Sequence, residues 1–296
     1  MASPRLARDA LELVTLSAAD LDAGLALSDA AGWNQTADDW AIFIRDGHAI
    51  GFRDDSNRIV ATAATLPYGA SVGWISMVLV GDAWRHRGLA SELMTACVDR
   101  LRAANIVPVL DATPAGAAVY ARIGFAAGFE IDRWAWQAAS AGGAAKAALA
   151  PNVGTACPAG VAGLDAVATL DRAATGLDRR FLLEAFLSRP GTSAWLAPAG
   201  QGFAIARAGR RAVQIGPLAA AGVDGAIELL ATACTWARAH ADRVFLDVPR
   251  DRRELSAWLE AQGFARQRPF VRMALGAAHA AQLGATSFVL AGPEFG

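Results

Sequence analysis

Val78-Leu79-Val80-Gly81-Asp82-Ala83-Trp84-Arg85-His86-Arg87-Gly88-Leu89-Ala90-Ser91-Glu92-Leu93-Met94 begins as a strand and ends as a helix, with a basic, glycine-containing turn between. The apolar run that leads into it, from near Val72 to Val80, falls well short of the ~20 residues a membrane helix needs, so it reads as a buried strand. After the turn, Leu89, Leu93, Met94, Cys97 and Leu101 recur at helical spacing. A strand that turns through glycine into a helix presents unpaired backbone N–H groups at the positive end of the helix dipole, which is a site for an anion. Gly88 would let a pyrophosphate approach the backbone. Small Ala90 and Ser91 keep the helix start open, and Arg85 and Arg87 add charge-assisted contacts. The same residues would equally serve a simple strand-to-helix turn.

Outward from this unit the pattern is mixed α/β. A strand over Ile106 to Thr113 is followed by a helix from Pro114 to Ile123, with proline at a favoured helix start and Gly124 at the stop. Upstream, Glu12 to Leu16 reads as a strand and Ala18 to Ala31 and Thr36 to Asp46 as helices. Ala49 to Arg53 and Arg58 to Leu66 form a hairpin around Asp54-Asp55-Ser56-Asn57.

The order returns further on. Strand signals at Ser193 to Leu196, Gly202 to Arg207 and Ala212 to Leu218 precede a helix from Asp224 to His240. Val244-Phe245-Leu246-Asp247 resembles Val107 to Asp111, and Ala257 to Phe264 matches Ala118 to Phe125, so the chain reads as two divergent copies of one fold. A length of 296 residues suits two domains. The small, Gly/Pro-punctuated stretch 138–155 is the expected linker between a domain at 1–137 and one at 156–296.

Bulk properties narrow the function. With 54% apolar and 19% charged residues the chain can bury two cores. A net charge of −1 argues against a nucleic-acid surface. The balance is uneven, −5 over residues 1–137 and +4 over 138–296, so a cationic substrate is drawn weakly to the first half. Cys97, Cys157 and Cys234 are far apart and read as buried thiols. Neither they nor the four histidines have metal-ligand spacing, and no metal is expected. No secretion signal is readable over Met1 to Val14, and the expected location is cytoplasmic, with no membrane partner.

Taken together, the strand Trp74 to Val80, the turn Arg85-His86-Arg87-Gly88-Leu89-Ala90, its helix, the strand Ile106 to Thr113 and the Tyr-x-x-x-Gly-Phe of Tyr120 to Phe125 resemble the GNAT superfamily of acetyltransferases. The resemblance covers about Leu11 to Gln137. It implies an α/β fold with a mixed sheet flanked by helices, in tandem GNAT-like acyl-CoA N-acyltransferase domains, with acetyl-CoA as co-substrate. It implies that Val78, Leu79 and Val80 pair with the pantetheine arm and that Arg87, Gly88, Leu89, Ala90 and Ser91 bind the pyrophosphate. Thr113 stands where the family often has a cofactor-contacting Asn. Gly32-Trp33-Asn34-Gln35 with Asp39-Trp40, and Leu110 to Gly116, look like a subgroup with a second GNAT-like domain.

Tyr120 resembles the family's general acid, which faces the thiolate released as an amine attacks the thioester; a core tyrosine is the alternative. For the base, Asp111 is the first candidate, and a carboxylate capping the helix at Pro114 is the other reading of it. Ser76, Asp82 and Glu130 follow. Trp33, Asn34 and Asp39 could hold a cationic amine, or serve as core and helix-start residues with Trp40. His86 is expected to face solvent. In the second copy Ala219 to Gly225 lacks arginine and carries Asp224, and Leu259 stands for Tyr120, so that copy is not expected to bind CoA. The expected partner is a small-molecule or peptide amine, with homo-oligomerisation open. A CoA-binding sensor without turnover is the rival reading.

Overall fold

The computed structural model describes residues 11–138, 157–277 and 282–296. The expected linker at 138–155 lies almost wholly outside the described residues. Compactness divides the chain elsewhere, into unit 1, Met1–Pro108, and unit 2, Val109–Gly296.

Unit 1 is an antiparallel sheet of β1 (Glu12–Thr15), β2 (His48–Arg53), β3 (Ile59–Tyr68) and β4 (Val72–Val80), in that order. Three helices accompany it: α1 (Leu21–Ala30), α2 (Ala37–Arg45) and α3 (Leu89–Ala103). Of these, α2 begins where the sequence supplies a side-chain cap. Thr36 and Asp39 form a reciprocal capping box at α2. The periodic face of α3, Leu89, Leu93, Met94, Cys97 and Leu101, is buried, and the helix packs on β3 and β4. Between α1 and α2, Gly32 (φ 73) closes α1 in the left-handed region and the Trp33 N–H reaches back to the Ser28 carbonyl at 2.9 Å.

β5 (Val107–Ala112) straddles the division, and the other elements of unit 2 are β6 to β13 and α4 to α8. The strands are β6 (Phe125–Gln137), β7 (Cys157–Pro158), β8 (Thr192–Leu196), β9 (Gly202–Ala208), β10 (Val213–Ala220), β11 (Arg243–Pro249), β12 (Ala265–Leu275) and β13 (Ser287–Val289). The helices are α4 (Pro114–Arg122), α5 (Leu164–Thr175), α6 (Arg180–Ser188), α7 (Val223–His240) and α8 (Arg253–Ala261). The strand order in unit 2 is β5-β12-β6-β11-β10-β9-β8-β7, with β13 on β10. β10 and β11 run parallel and the other pairs antiparallel, so the sheet is mixed.

The two copies interleave at their ends. The last strand of the second copy, β12, lies between β5 and β6 of the first, and β6 in turn pairs with β11 of the second. Each copy therefore completes its sheet with the other's final strand, which is why the compact division does not fall between the copies.

Cys97 and Cys234 are buried free thiols, and burial pushes both up to about 12. Among the described residues no group of three or more potential ligands could hold a metal, and no helix is long and apolar enough to cross a membrane.

Candidate active site

Two backbone irregularities in unit 1 mark the candidate site. One is the turn after β4. His86 (φ 61) and Gly88 (φ 84) both lie in the left-handed region. Left-handed residues flanked by ordinary ones make neighbouring N–H groups converge on one point, an anion-binding concavity. Gly88 is the N-cap of α3 and offers no side-chain oxygen to the first-turn amides, which stay open to an anion. A short 3₁₀ turn, Asp82–Trp84, supports the loop through buried Trp84, and buried Leu89 anchors its far side.

The arginines brace this turn. Arg85 pairs with Asp82 at 2.7 Å and donates to the Val80 carbonyl at 3.3 Å. Arg87 donates to the Ala83 carbonyl at 3.0 Å and lies over the Trp84 ring at 5.0 Å. Both ends of the Arg85–Asp82 pair are exposed, so the pair is weak and Arg85 can be drawn to a stronger anion. His86 is exposed, as expected.

The second irregularity lies within β4. Thr62 pairs with Leu79 and Ala64 with Ser76, so Ala63 faces two residues, Met77 and Val78. This is a β-bulge, and Met77 (φ 54) takes a conformation that costs a non-glycine residue about 1 to 2 kcal/mol. Thr62 holds it: its buried hydroxyl donates to the Met77 carbonyl at 2.9 Å. The bulge breaks the ladder in the segment where Val78, Leu79 and Val80 are expected to meet the pantetheine arm. Beside it the Ser76 hydroxyl is buried with no hydrogen-bond partner among the described residues. A polar backbone kink with an orphaned hydroxyl, leading into an anion-binding turn, fits an amide-bearing, pyrophosphate-bearing ligand. No residue type signals the bulge, because methionine is an ordinary strand residue.

In unit 2, Tyr120 lies on the last turn of α4, half-buried, with its ring 6.1 Å from Phe125. It packs over Gly116, where a Cβ would stand 3.1 Å from the Tyr120 ring. Thr113 is the N-cap of α4, and its hydroxyl accepts from the Gly116 N–H at 3.3 Å. The cap uses one lone pair of that hydroxyl and leaves its O–H free to donate.

The capping reading of Asp111 is corrected, because the N-cap of α4 is Thr113. The Asp111 side chain is fully buried and receives two hydrogen bonds from Arg272 on β12, at 2.8 and 2.9 Å. Burial raises its carboxyl above the ordinary value, and the Arg272 charge pulls it back. Asp39 takes the helix-start place given as the alternative: it is 4% exposed and accepts from the Thr36 N–H at 2.8 Å within the capping box. Trp40 is core, its indole N–H bonded to Ser28 Oγ at 3.0 Å, whereas Trp33 and Asn34 are half-buried. Glu130 pairs with Arg250, which also holds Asp132 at 2.9 Å.

The second copy keeps the bulge and loses the turn. Ile215 pairs with Ala206 and Leu218 with Ala204, so Gly216 and Pro217 face Ile205 alone, as Met77 and Val78 face Ala63. Between β10 and α7 only Ala221 and Gly222 remain, where Gly81 to Gly88 connects β4 to α3. The expected repulsive Asp224 sits inside the first turn of α7. Leu259, at the place of Tyr120, is fully buried.

Comparison with known proteins agrees with this architecture. Residues 20–125 match a model described as the acetyltransferase (GNAT) family, and residues 167–286 one described as an acetyltransferase (GNAT) domain. A solved protein of Pyrococcus horikoshii shares the fold with a TM-score of 0.77 at 18% identity, over 98% of each chain. A tandem GNAT protein from the clavulanic acid biosynthesis pathway is similar with a TM-score of 0.64 at 17% identity, over 89% of this chain and 98% of that one. A GCN5-related N-acetyltransferase from Kribbella flavida gives 0.55 at 19% identity, over 89% and 70%. No curated protein matches the chain in sequence.

Proposed function

Because both halves of the chain belong to the GNAT superfamily of acetyltransferases, we propose that it transfers an acetyl group from acetyl-CoA to a primary amine by direct attack, using the turn at Gly88 as the pyrophosphate site. The observation that carries this reading is the left-handed pair His86 and Gly88 opening α3, directly after a bulged strand. Acetyl-CoA supplies a thioester whose carbonyl carbon the amine attacks, with the thiolate leaving. The chain's task is to hold that thioester, exclude competing water and steady the leaving sulfur.

Val78, Leu79 and Val80 present the backbone polar groups for the pantetheine arm, and Arg87, Gly88, Leu89, Ala90 and Ser91 with Arg85 take the diphosphate. Tyr120 is assigned to the leaving thiolate by its place in the Tyr-x-x-x-Gly-Phe motif. A thiol near 8.5 and a phenol near 10 differ by about 1.5 units, so complete transfer of the phenol proton is uphill by about 2 kcal/mol. Tyr120 therefore acts chiefly by hydrogen-bonding the developing charge. The amine, near 10.4 when free, must shed a proton. With Asp111 held by buried Arg272, we assign that proton to water and not to Asp111. Trp33 and Asn34 remain the acceptor-side candidates.

A screen of primary amines with acetyl-CoA, read as thiol release, tests the reading. Amine-dependent release that follows saturation kinetics is expected. Tight acetyl-CoA binding without release for any amine would favour the sensor.

A further inference from the structure

The parallel strands β10 and β11 pair over Val213 to Ile215 and Val244 to Leu246 and then diverge. The wedge they open contains the chain's own residues 286–296. β13 pairs antiparallel with β10, Leu218 opposite Val289 and Ala219 opposite Ser287. On the same strand edge the Ala220 N–H donates to the Thr286 carbonyl at 2.9 Å. On the other side the Leu290 N–H donates to the Asp247 carbonyl of β11, also at 2.9 Å. Backbone groups that the divergence would leave unpaired are thus taken by a peptide strand.

The surroundings are shaped to this segment. Gly216 sits at the bulge of β10, and a Cβ there would stand 1.9 Å from the Leu290 carbonyl oxygen, so only glycine admits the strand. Arg207, 2% exposed, donates to the Gly216 carbonyl at 2.7 Å, to the Ala291 carbonyl and to Glu294 Oε1 at 3.3 Å. It ties the bulge to the segment. Arg179, also 2% exposed, is held by Asp171 at 2.8 Å and donates to the Phe295 carbonyl at 3.2 Å and to that of Gly296. Phe295 is fully buried, edge-on to Phe186 at 5.2 Å. Buried guanidinium groups are costly unless bonded, and here much of the bonding comes from the segment itself.

We propose that the cleft between β10 and β11 is a strand-binding site for an extended peptide carrying a carboxylate, permanently filled by residues 286–296, so that the chain has a single acyl-CoA site. The first part stands on unit 2 alone; the word single rests on the reading of unit 1 given above. In unit 1 the corresponding strand β4 leads into the anion-binding turn. In unit 2 the bulge survives, but its edge is spent on peptide hydrogen bonds and the connection to α7 has shrunk to two residues.

Hydrogen exchange read by mass spectrometry on the full chain tests the first part. Amides of 286–291 are expected to exchange at least 100-fold more slowly than in a free peptide, and to do so equally with and without saturating acetyl-CoA. Exchange at the free-peptide rate, or loss of protection on adding acetyl-CoA, would overturn the proposal. Gly216→Ala should release 286–291 to faster exchange while Gly222→Ala, in open space, should not. Because alanine at φ 133 also strains the backbone, the wild-type exchange is the deciding measurement. Native mass spectrometry then counts acetyl-CoA. One per chain is expected, and two would overturn the proposal. None, with the segment protected, would instead overturn the acetyltransferase reading and leave the filled cleft standing.

Discussion

Asp111 and Arg272 face each other across β5 and β12, joined by two hydrogen bonds at 2.8 and 2.9 Å, and Asp247 and Arg133 repeat the arrangement across β11 and β6 at 2.8 Å. In each case an aspartate from one copy's fifth principal strand binds an arginine from the other copy's last strand. The matching Leu-Asp of 110–111 and 246–247 is therefore a register device for strand exchange.

Asp111→Asn should accordingly act on stability. It removes the charge of a fully buried, doubly hydrogen-bonded ion pair, a loss that costs about 3 kcal/mol or more. The double variant Asp111→Leu with Arg272→Met should recover most of that loss, because an apolar pair of similar volume avoids both desolvation costs. Urea denaturation checks both. An Asp111→Asn protein as stable as wild type but slow in acetyl transfer would return the base role to Asp111.

Thr62 acts through the bulge. Thr62→Val keeps the shape and removes the bond to the Met77 carbonyl, so acetyl-CoA affinity should weaken by about 10-fold, the equivalent of one net hydrogen bond. Thr62→Ser should restore it. Equal affinity in all three proteins would show that the bulge needs no support from Thr62.

Tyr120→Phe keeps the ring against Gly116 and Phe125 and deletes the hydroxyl. Turnover should fall by about 10² or more while the acetyl-CoA dissociation constant stays the same. Stopped-flow acetyl transfer with any active amine measures it. A variant as fast as wild type would make Tyr120 a packing residue.

The buried thiols of Cys97 and Cys234, held near 12, should remain protonated at pH 8. Alkylation of the native protein at that pH should leave the peptides carrying them unmodified until denaturant is added. Rapid labelling of either would show that its helix opens far more often than its packing implies.

Much of this fold was legible because local rules and tertiary structure agree. The periodicity of Leu89 to Leu101, the proline start at Pro114 and the turn residues Asp54 to Asn57 each determine their element from within a few residues. What escaped was non-local. β6 and β12 exchange partners between copies, and no single segment records which strand it will pair with. β13 is three residues long and acquires strand geometry only from the cleft it fills. The Met77 bulge is hydrogen-bonded to a hydroxyl 15 residues away. At the candidate site, the turn itself was readable because Gly88 stands where the chain passes from strand to helix with a left-handed residue. The acid-base residues were not, because an aspartate in a strand looks the same whether it faces substrate or a partner arginine.

The central claim, that the turn at Gly88 holds acyl-CoA, is tested most directly by titration calorimetry of acetyl-CoA into the full chain and into Gly88→Glu. The substitution sets a carboxylate at the anion site and asks a non-glycine residue to adopt φ 84, a strain of about 1 to 2 kcal/mol that the fold should survive. The wild type should bind and the variant, folded by circular dichroism, should show no measurable heat of binding. Equal affinity in the two proteins would contradict the account.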